Sequence, residues 1–167
     1  MNTSLDLAPE HAYRAAVDRA HRRAFGQFFT PPNLALLMAH WITANHACRT
    51  ILDPALGLGM FVRAITAVSC QPFAFCGYDC DPAMLERAAD VLHDVPHVTL
   101  ECADYLASDW HTRYDGIICN PPYQKFQHYS QRNERLSLIE QQLGMKLSGL
   151  TNIYTLFLLK AMRQLAP

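Results

Sequence analysis

The strongest concentration of residues that could do chemistry is the tetrapeptide Asn120-Pro121-Pro122-Tyr123, which directly follows an apolar stretch. Two consecutive prolines fix the backbone and remove two amide donors. The side-chain oxygen of Asn120 and the carbonyl of Pro121 could therefore both accept from one exocyclic amino group, while Tyr123 offers a ring face for stacking. The alternative is a rigid turn with an incidental aromatic residue, and the position after a predicted strand favours the site.

Three acidic residues come at the ends of earlier apolar stretches: Asp53, Asp79 and Asp104. Since ligands of a parallel α/β sheet bind beyond the carboxyl ends of its strands, we expect these carboxylates to meet at one site. Asp79 could accept both hydroxyls of a ribose, and Asp104 could accept from an adenine amino group. Gly57 and Gly59 would let the backbone approach such a ligand closely. Each residue alone is more often a cap or turn residue, but together they favour a bound adenosine.

These residues need a scaffold of alternating strands and helices, and the hydrophobic pattern predicts one. The N-terminal part is expected to hold a helix over 9–24 and a second helix capped by Thr30, with Pro31 at its first position. Strands are predicted at 50–52, 73–78, 97–102 and 114–119, and further helices at 61–68, from Pro82 onward with Asp81 as its cap, around 133–143, and at 152–165. This alternation indicates an α/β, Rossmann-like fold with a doubly wound, mainly parallel sheet and helices on both faces.

The length and composition fit one globular domain or a piece of one. Half of the 167 residues are apolar and 17% are charged, which argues against global disorder. The six cysteines show no zinc-like spacing, so we expect reduced thiols in a cytoplasmic protein and no metal site. The N-terminus has no signal-peptide pattern, and no apolar run reaches the length of a membrane span.

The formal net charge is −1, so affinity for nucleic acid must come from a local basic face or from a part outside this chain. One group of arginines, on the first predicted helix, is more often a solvated helix face: Arg14, Arg19, Arg22 and Arg23. A second group lies beside the Asn-Pro-Pro-Tyr tetrapeptide and is better placed to contact phosphates: Lys125, Arg132 and Arg135.

The order of these motifs resembles the class I S-adenosylmethionine-dependent methyltransferases, and among them the N6-adenine DNA methyltransferases of restriction–modification systems. The segments that carry the resemblance, which the family numbers X and I to V, are 26–32, 53–59, 78–82, 103–106, 120–123 and 153–165. The resemblance implies S-adenosylmethionine as cofactor, bound by Gln27, Thr30, Pro31, Asp53, Pro54, Ala55, Gly57, Gly59, Asp79, Cys80, Asp104 and Tyr105. It implies that Asn120, Pro121, Pro122 and Tyr123 are catalytic, acting on an adenine flipped out of DNA, with Phe126 or Phe157 near the base.

The motif order is that of the family's gamma group, in which the recognition domain follows the catalytic one. We therefore expect an N-terminal helical extension over 1–24 and a cofactor-binding catalytic domain over 25–167, incomplete after the fourth strand and following helix. Recognition would lie in a missing domain or a separate specificity subunit, and the open sheet edge could pair with a second copy. The first motif departs from the family's D-P-A-C-G-S-G, because Leu56 and Leu58 replace the cysteine and the serine.

Three alternatives stay open. The same tetrapeptide occurs in methyltransferases that act on RNA or on protein glutamine. The replacements at Leu56 and Leu58 also fit a degenerate, non-catalytic module that binds a nucleotide or a partner. A third reading is an interaction scaffold that pairs through its sheet edge.

Overall fold

The computed structural model describes residues 5–123, 132–148 and 151–167. In chain order, the described elements are α1 (Ala8–Ala16), α2 (Arg19–Ala24), α3 (Pro32–Thr43), β1 (Thr50–Asp53), α4 (Met60–Val68), β2 (Ala74–Asp79), α5 (Pro82–Val91), β3 (Val98–Cys102), β4 (Gly116–Ile117), α6 (Arg132–Leu143) and α7 (Ile153–Gln164). A short 3₁₀ turn, Tyr105–Ala107, follows β3.

The four strands form one parallel sheet in the order β3-β2-β1-β4. Alternate residues of a strand point to opposite faces. Ile51 accordingly joins a core with residues of α3, α4 and α5, whereas Leu52 joins a second core with residues of α6, α7 and the 3₁₀ turn. The predicted α/β fold with helices on both faces is confirmed, and the carboxyl ends of the strands share one edge.

The N-terminal helix predicted over 9–24 is wrong as a single element. Val17 adopts an extended conformation after α1, and α2 begins only at Arg19. The break lets α1 bury Tyr13 against Leu58 and Met84. The extension is thus packed onto the remainder of the chain, while a domain boundary at residue 24 stays a prediction.

The fourth strand is shorter than the predicted 114–119. Tyr114 pairs instead with the segment after α7, donating its N–H to the Gln164 carbonyl at 2.9 Å. The carboxylate of Asp115 accepts from the backbone N–H of Thr50 at 2.8 Å, so a side chain takes the place of a ladder bond there. Gly116 and Ile117 pair with β1, and the N–H of Ile118 donates to the carbonyl of Leu52 at 3.0 Å.

None of the helices in the described ranges is long and apolar enough to cross a membrane. All six cysteines lie in those ranges, and each is a free thiol.

Candidate active site

A cavity of about 410 Å³ opens at the carboxyl edge of the sheet, between the strand-end loops and the segment that precedes α3. The residues proposed from the sequence that line it are Gln27, Pro54, Ala55, Gly57, Asp79, Cys80, Asp104, Tyr105, Asn120 and Pro122. Those that do not line it are Thr30, Pro31, Asp53, Gly59, Pro121 and Tyr123. The structure thus gathers ten of these residues around one space, and the others stand behind it or at its rim.

The two glycines of the loop after β1 have different surroundings. Both are left-handed, with φ of +55° at Gly57 and +73° at Gly59. A Cβ built on Gly57 would meet nothing within 4 Å, whereas one on Gly59 would lie 2.6 Å from the side chain of Leu92. Gly57 therefore leaves open space at the cavity wall, and Gly59 allows α4 to pack against the end of α5.

Leu56 and Leu58, the two departures from the family pattern, both point into the core and do not line the cavity. Leu56 packs on Gly77 of β2, where a Cβ would come within 2.7 Å of its side chain. Leu58 packs with Tyr13 and Met84. Two larger apolar side chains are thus accommodated beneath the loop and leave the ligand side of the loop unobstructed.

Each carboxylate oxygen of Asp79, at the end of β2, accepts one hydrogen bond from the backbone. Its Oδ2 accepts from the N–H of Gly57 at 3.1 Å, and its Oδ1 accepts from the N–H of Asp81 at 2.9 Å. An ionised carboxylate can accept about four hydrogen bonds. Each oxygen therefore retains capacity for one ligand hydroxyl, as binding of a ribose requires. Burial raises the pKa of Asp79 despite these two bonds.

Asp53 lies beneath the loop, away from the cavity surface. Its Oδ1 accepts from the N–H of Ala55 at 3.2 Å, while its buried Oδ2 has no hydrogen-bond partner in the described part of the chain. Burial raises the pKa of Asp53 to about 7. An unpaired buried carboxylate oxygen is costly when it is charged, so the protonated form of Asp53 is favoured in the folded chain.

Asp104 and Tyr105 form the wall beyond β3. One oxygen of Asp104 caps the 3₁₀ turn by accepting from the N–H of Leu106 at 3.0 Å, and the other lies 3.4 Å from the Nε of Arg135. Arg135, which the sequence favours as a DNA contact, lies in the cavity wall as the ion-pair partner of Asp104, and its contact with DNA stays a prediction.

A buried lysine on α7 lies behind this wall and donates hydrogen bonds to it. The Nζ of Lys160 donates to the carbonyl of Tyr105 and to the hydroxyl of Ser108, the latter at 3.0 Å. Its ammonium also lies over the rings of Tyr105 and Trp110, at 4.2 and 4.9 Å from the ring centroids. Burial lowers the pKa of Lys160 to about 7. No sequence signal singled out this residue, because a lone lysine in an apolar helix gives no motif.

The orientation of Asn120 is fixed from the segment that precedes α3. Its Nδ2 donates to the carbonyl of Phe28 at 3.3 Å and to the hydroxyl of Thr30 at 3.1 Å. The prediction that Thr30 caps α3 is wrong, since Pro31 occupies the N-cap position and no side-chain cap bond forms. The hydroxyl of Thr30 is buried and serves Asn120 instead.

Tyr123 stands at the rim of the cavity. Its ring contacts that of Phe28 edge to face, with centroids 5.4 Å apart and an interplanar angle of 82°. Phe157, predicted to lie near the base, is in the cavity wall. Lys125 and Phe126, which the sequence also suggested, lie outside the described residues.

Asp81 joins the N-terminal segments to the site, a role that its sequence position did not reveal. It caps α5 as predicted, accepting from Ala83 at 3.1 Å. Its Oδ2 also accepts from Gln27 at 2.6 Å and Tyr13 at 3.2 Å and lies 2.7 Å from His21 Nε2. Although burial opposes ionisation, the bonds from His21 and Gln27 lower the pKa of Asp81.

The basic residues of the first predicted helix are partly engaged in packing. The guanidinium of Arg14 lies 5.2 Å from the centroid of the Phe29 ring. Arg19, Arg22 and Arg23 belong to the short α2. A continuous basic helix face, as predicted from the sequence, is therefore interrupted at the break between α1 and α2.

Comparison with known proteins places this architecture among methyltransferases. Residues 14–167 match the family described as N-6 DNA Methylase. The Type II methyltransferase M.AccI from Acinetobacter calcoaceticus is 43% identical over 157 residues, which are 94% of this chain and 29% of that protein. The rRNA N(6)-adenosine-methyltransferase Mettl5 of Drosophila melanogaster is 30% identical over 103 residues, 58% of this chain and 48% of that protein.

Among solved structures, the methyltransferase subunit of a type I restriction-modification system from Streptococcus thermophilus has the same fold. It matches with a TM-score of 0.70 at 23% identity, covering 84% of this chain and 32% of that chain. This chain spans less than a third of M.AccI, at 29% of its length. Because the family match extends over nearly the whole sequence, this chain belongs to the N-6 DNA methylase family.

Proposed function

We propose that this chain is the cofactor-binding and catalytic part of an enzyme that transfers a methyl group from S-adenosylmethionine to the N6 amino group of adenine in DNA. The observation that carries the proposal is the fixed amide of Asn120. Its Nδ2 donates to Phe28 and Thr30, which fixes the orientation of the amide, and Oδ1, the acceptor atom of the group, can then accept from a substrate. An amino group with two N–H donors is the substrate that this arrangement suits.

The cavity also fits an adenosyl cofactor. Its volume is about 410 Å³, within the usual range of ligand pockets. Asp79 would accept the ribose hydroxyls, the open side of Gly57 would lie against the ligand, and Asp104 would accept from the adenine amino group after exchanging its contact with Arg135. Asp53 would act from beneath the loop, where its bond to the N–H of Ala55 holds the cavity wall in place.

The other proposed cofactor residues act through these. Gln27 is tied to Asp81, Thr30 orients Asn120, and Gly59 shapes the loop. Pro54, Ala55, Cys80 and Tyr105 would complete the walls by contact, and Pro31 would act from behind them at the N-cap of α3.

When bound, S-adenosylmethionine supplies a methyl group on an electron-poor sulfur. Asn120 Oδ1 and the Pro121 carbonyl would each accept one N–H of the adenine amino group, which turns the nitrogen lone pair towards the methyl group. Both oxygens stabilise the positive charge that grows on nitrogen as the N–C bond forms and the C–S bond breaks. The proton leaves after the nitrogen has become cationic, so a strong general base is not needed. Pro122 would keep this backbone rigid, and Tyr123 would stack on the extruded base.

DNA binding is proposed to depend on more than this chain. The net charge is −1, which does not support phosphate binding by overall charge. Since the chain spans 29% of M.AccI, we assign sequence recognition to a further domain or a separate specificity subunit. Association through the sheet edge at β4 stays a prediction. The free thiols fit a reducing compartment, so we place the activity in the cytoplasm.

Adenine in RNA is the second candidate substrate. Mettl5, named as acting on rRNA, is 30% identical over 103 residues. M.AccI is more similar, over a larger part of the chain, and this favours DNA. The same amino group is the acceptor in both cases, so the site alone suits either polymer.

The test has two stages. Calorimetry with S-adenosylmethionine and its demethylated product first measures cofactor binding by the folded chain, and transfer of labelled methyl groups to DNA and to RNA is then measured in the full-length protein. We expect Asn120→Ala to lower transfer about a hundredfold or more with cofactor affinity unchanged. Asn33→Ala, at an exposed position of α3, is the matched control and should transfer normally. Absence of binding heat from the folded chain would favour the non-catalytic module.

A further inference from the structure

The segment before α3 presents two adjacent phenylalanines to opposite sides. Phe29 faces inward, packing edge to face on Tyr13 with ring centroids 5.7 Å apart and joining the cluster around Leu58. Phe28 faces outward and is 63% exposed. Because Phe29 already anchors the segment, the ring of Phe28 is not needed for its packing, and its exposure calls for another explanation.

The ring that Phe28 contacts is itself exposed. Tyr123 is 67% exposed, and the two rings meet edge to face at the rim of the cavity. Two large aromatic side chains that remain mostly in water at a ligand cavity are typical of a surface that a ligand covers. An edge-to-face pair leaves ring surface open to a further planar group. Phe28 also lines the cavity, so the pair is continuous with the site.

Phe28 contacts the catalytic tetrapeptide twice. Its carbonyl accepts from Asn120 Nδ2 at 3.3 Å, and its ring packs on Tyr123. One residue therefore touches both the side chain proposed to hold the adenine amino group and the ring proposed to stack on the base. A base seated on Tyr123 with its amino group at Asn120 would lie next to the Phe28 ring.

We propose that Phe28 is a positioning residue for the substrate, supplying with Tyr123 an aromatic slot for an unpaired adenine base. This inference rests on the proposed function and extends it, since it names the second ring of the slot and places it outside the tetrapeptide. The slot accepts a base that is extruded from a duplex or already single-stranded. Stacking supplies the attraction, and the amino group at Asn120 supplies the register.

The test separates contacts to the base from contacts to the phosphate backbone. The full-length protein is titrated with labelled oligodeoxythymidylates that carry either one adenine or one abasic site at the same position, with and without S-adenosylhomocysteine. The ratio of the two affinities reports contacts to the base alone. We expect the wild-type chain to prefer adenine and Phe28→Leu to reduce the ratio about fivefold or more, since stacking on an aromatic ring is lost while apolar volume is kept. Phe28→Trp should restore it.

Controls distinguish a role of Phe28 in binding the base from a role in stabilising the fold. Trp41→Ala removes another exposed aromatic, 83% exposed on α3, and should leave the ratio unchanged. Thermal unfolding should be unchanged in Phe28→Leu, and because Phe28 also lines the cavity, any loss of affinity for S-adenosylhomocysteine should be smaller than the loss in the ratio. A wild-type ratio in Phe28→Leu, or loss of cofactor binding together with the ratio, would overturn the inference. A wild-type ratio of one would also overturn it, even if the cofactor binds. Failure of the cofactor to bind is seen separately in the calorimeter and counts against the proposed function.

Discussion

The cavity has an inner end, formed by Asp79 and the loop after β1, and a rim, formed by Phe28 and Tyr123. At the inner end the polar side chain is hydrogen-bonded to the backbone, whereas the side chains of the rim make few contacts. Asp79 accepts two backbone N–H groups, and the loop that it holds rests on buried Leu56 and Leu58. At the rim, Phe28 and Tyr123 are about two-thirds exposed. Under the proposed function, the difference means that folding builds the end that binds the cofactor, whereas the ligand completes the end that binds the substrate. Substitutions at the inner end should therefore affect stability as well as binding, and those at the rim only binding.

The largest effect is expected from Leu58→Ser, which restores the family's residue at a position buried among Tyr13 and Met84. Removing a buried leucine side chain costs about 2–5 kcal/mol of unfolding free energy, and burying a hydroxyl adds to this. Chemical denaturation should show a loss of about 3 kcal/mol or more. Leu37→Ser, at an exposed position of α3, is the control. Unchanged stability with tighter cofactor binding would mean that Leu58 reaches the ligand.

Asp79→Ala tests the inner end as a binding site. If Asp79 accepts two ligand hydroxyls as proposed, its loss should weaken the binding of S-adenosylmethionine roughly 10- to 100-fold by calorimetry. The unfolding free energy should fall as well, because the N–H groups of Gly57 and Asp81 lose their acceptor. Asp94→Ala removes an exposed carboxylate, 88% exposed, and should change neither quantity. Normal affinity in Asp79→Ala would place the ribose elsewhere.

The scaffold was the most predictable part of the site from sequence. Asp53, Asp79 and Asn120 were placed at strand ends because strand and helix patterns alternate, and parallel strands bring such ends to one edge. The turn after β1 was predictable too, since Gly57 and Gly59 mark left-handed backbone. These signals are local, and each is contained within a few residues.

What sequence could not predict depends on partners distant in the chain. The direction of the Leu58 side chain is set by Tyr13 and Met84. Its chemical type alone fits a degenerate module, and only the fold shows that the side chain packs away from the cavity. Thr30 was interpreted as a helix cap, but its hydroxyl meets Asn120, 90 residues away. Such contacts arise only when the segment before α3 folds over the sheet edge.

The two glycines of the inner loop give a paired prediction. Gly59→Ala combines left-handed strain with a contact of 2.6 Å to Leu92, and should lower the unfolding free energy by about 2 kcal/mol. Gly57→Ala meets open space and should cost about 1 kcal/mol from strain alone. Its added methyl group would face the ligand, so cofactor affinity should fall more in Gly57→Ala than in Gly59→Ala. The opposite order of affinities would mean that Gly57 does not face the ligand.

The smallest effect concerns the pH dependence of stability. Burial raises the pKa of Asp53 from 3.8 to about 7, so across that interval the folded state holds a proton that the unfolded state has released. The contribution of Asp53 to the free energy of unfolding is therefore fully present below about pH 4 and is lost as pH rises through 7. Asp53→Asn can keep the bond from Ala55 but does not titrate, so it should remove this loss.

Denaturation at about pH 5.5 and 6.5 should show a wild-type decrease on the order of 1 kcal/mol that is absent in Asp53→Asn. The remaining carboxylates are common to both proteins, so the difference between the two slopes isolates Asp53. Equal slopes would mean that Asp53 is ionised throughout this range, and the inner end would then contain a paired rather than an unpaired carboxylate.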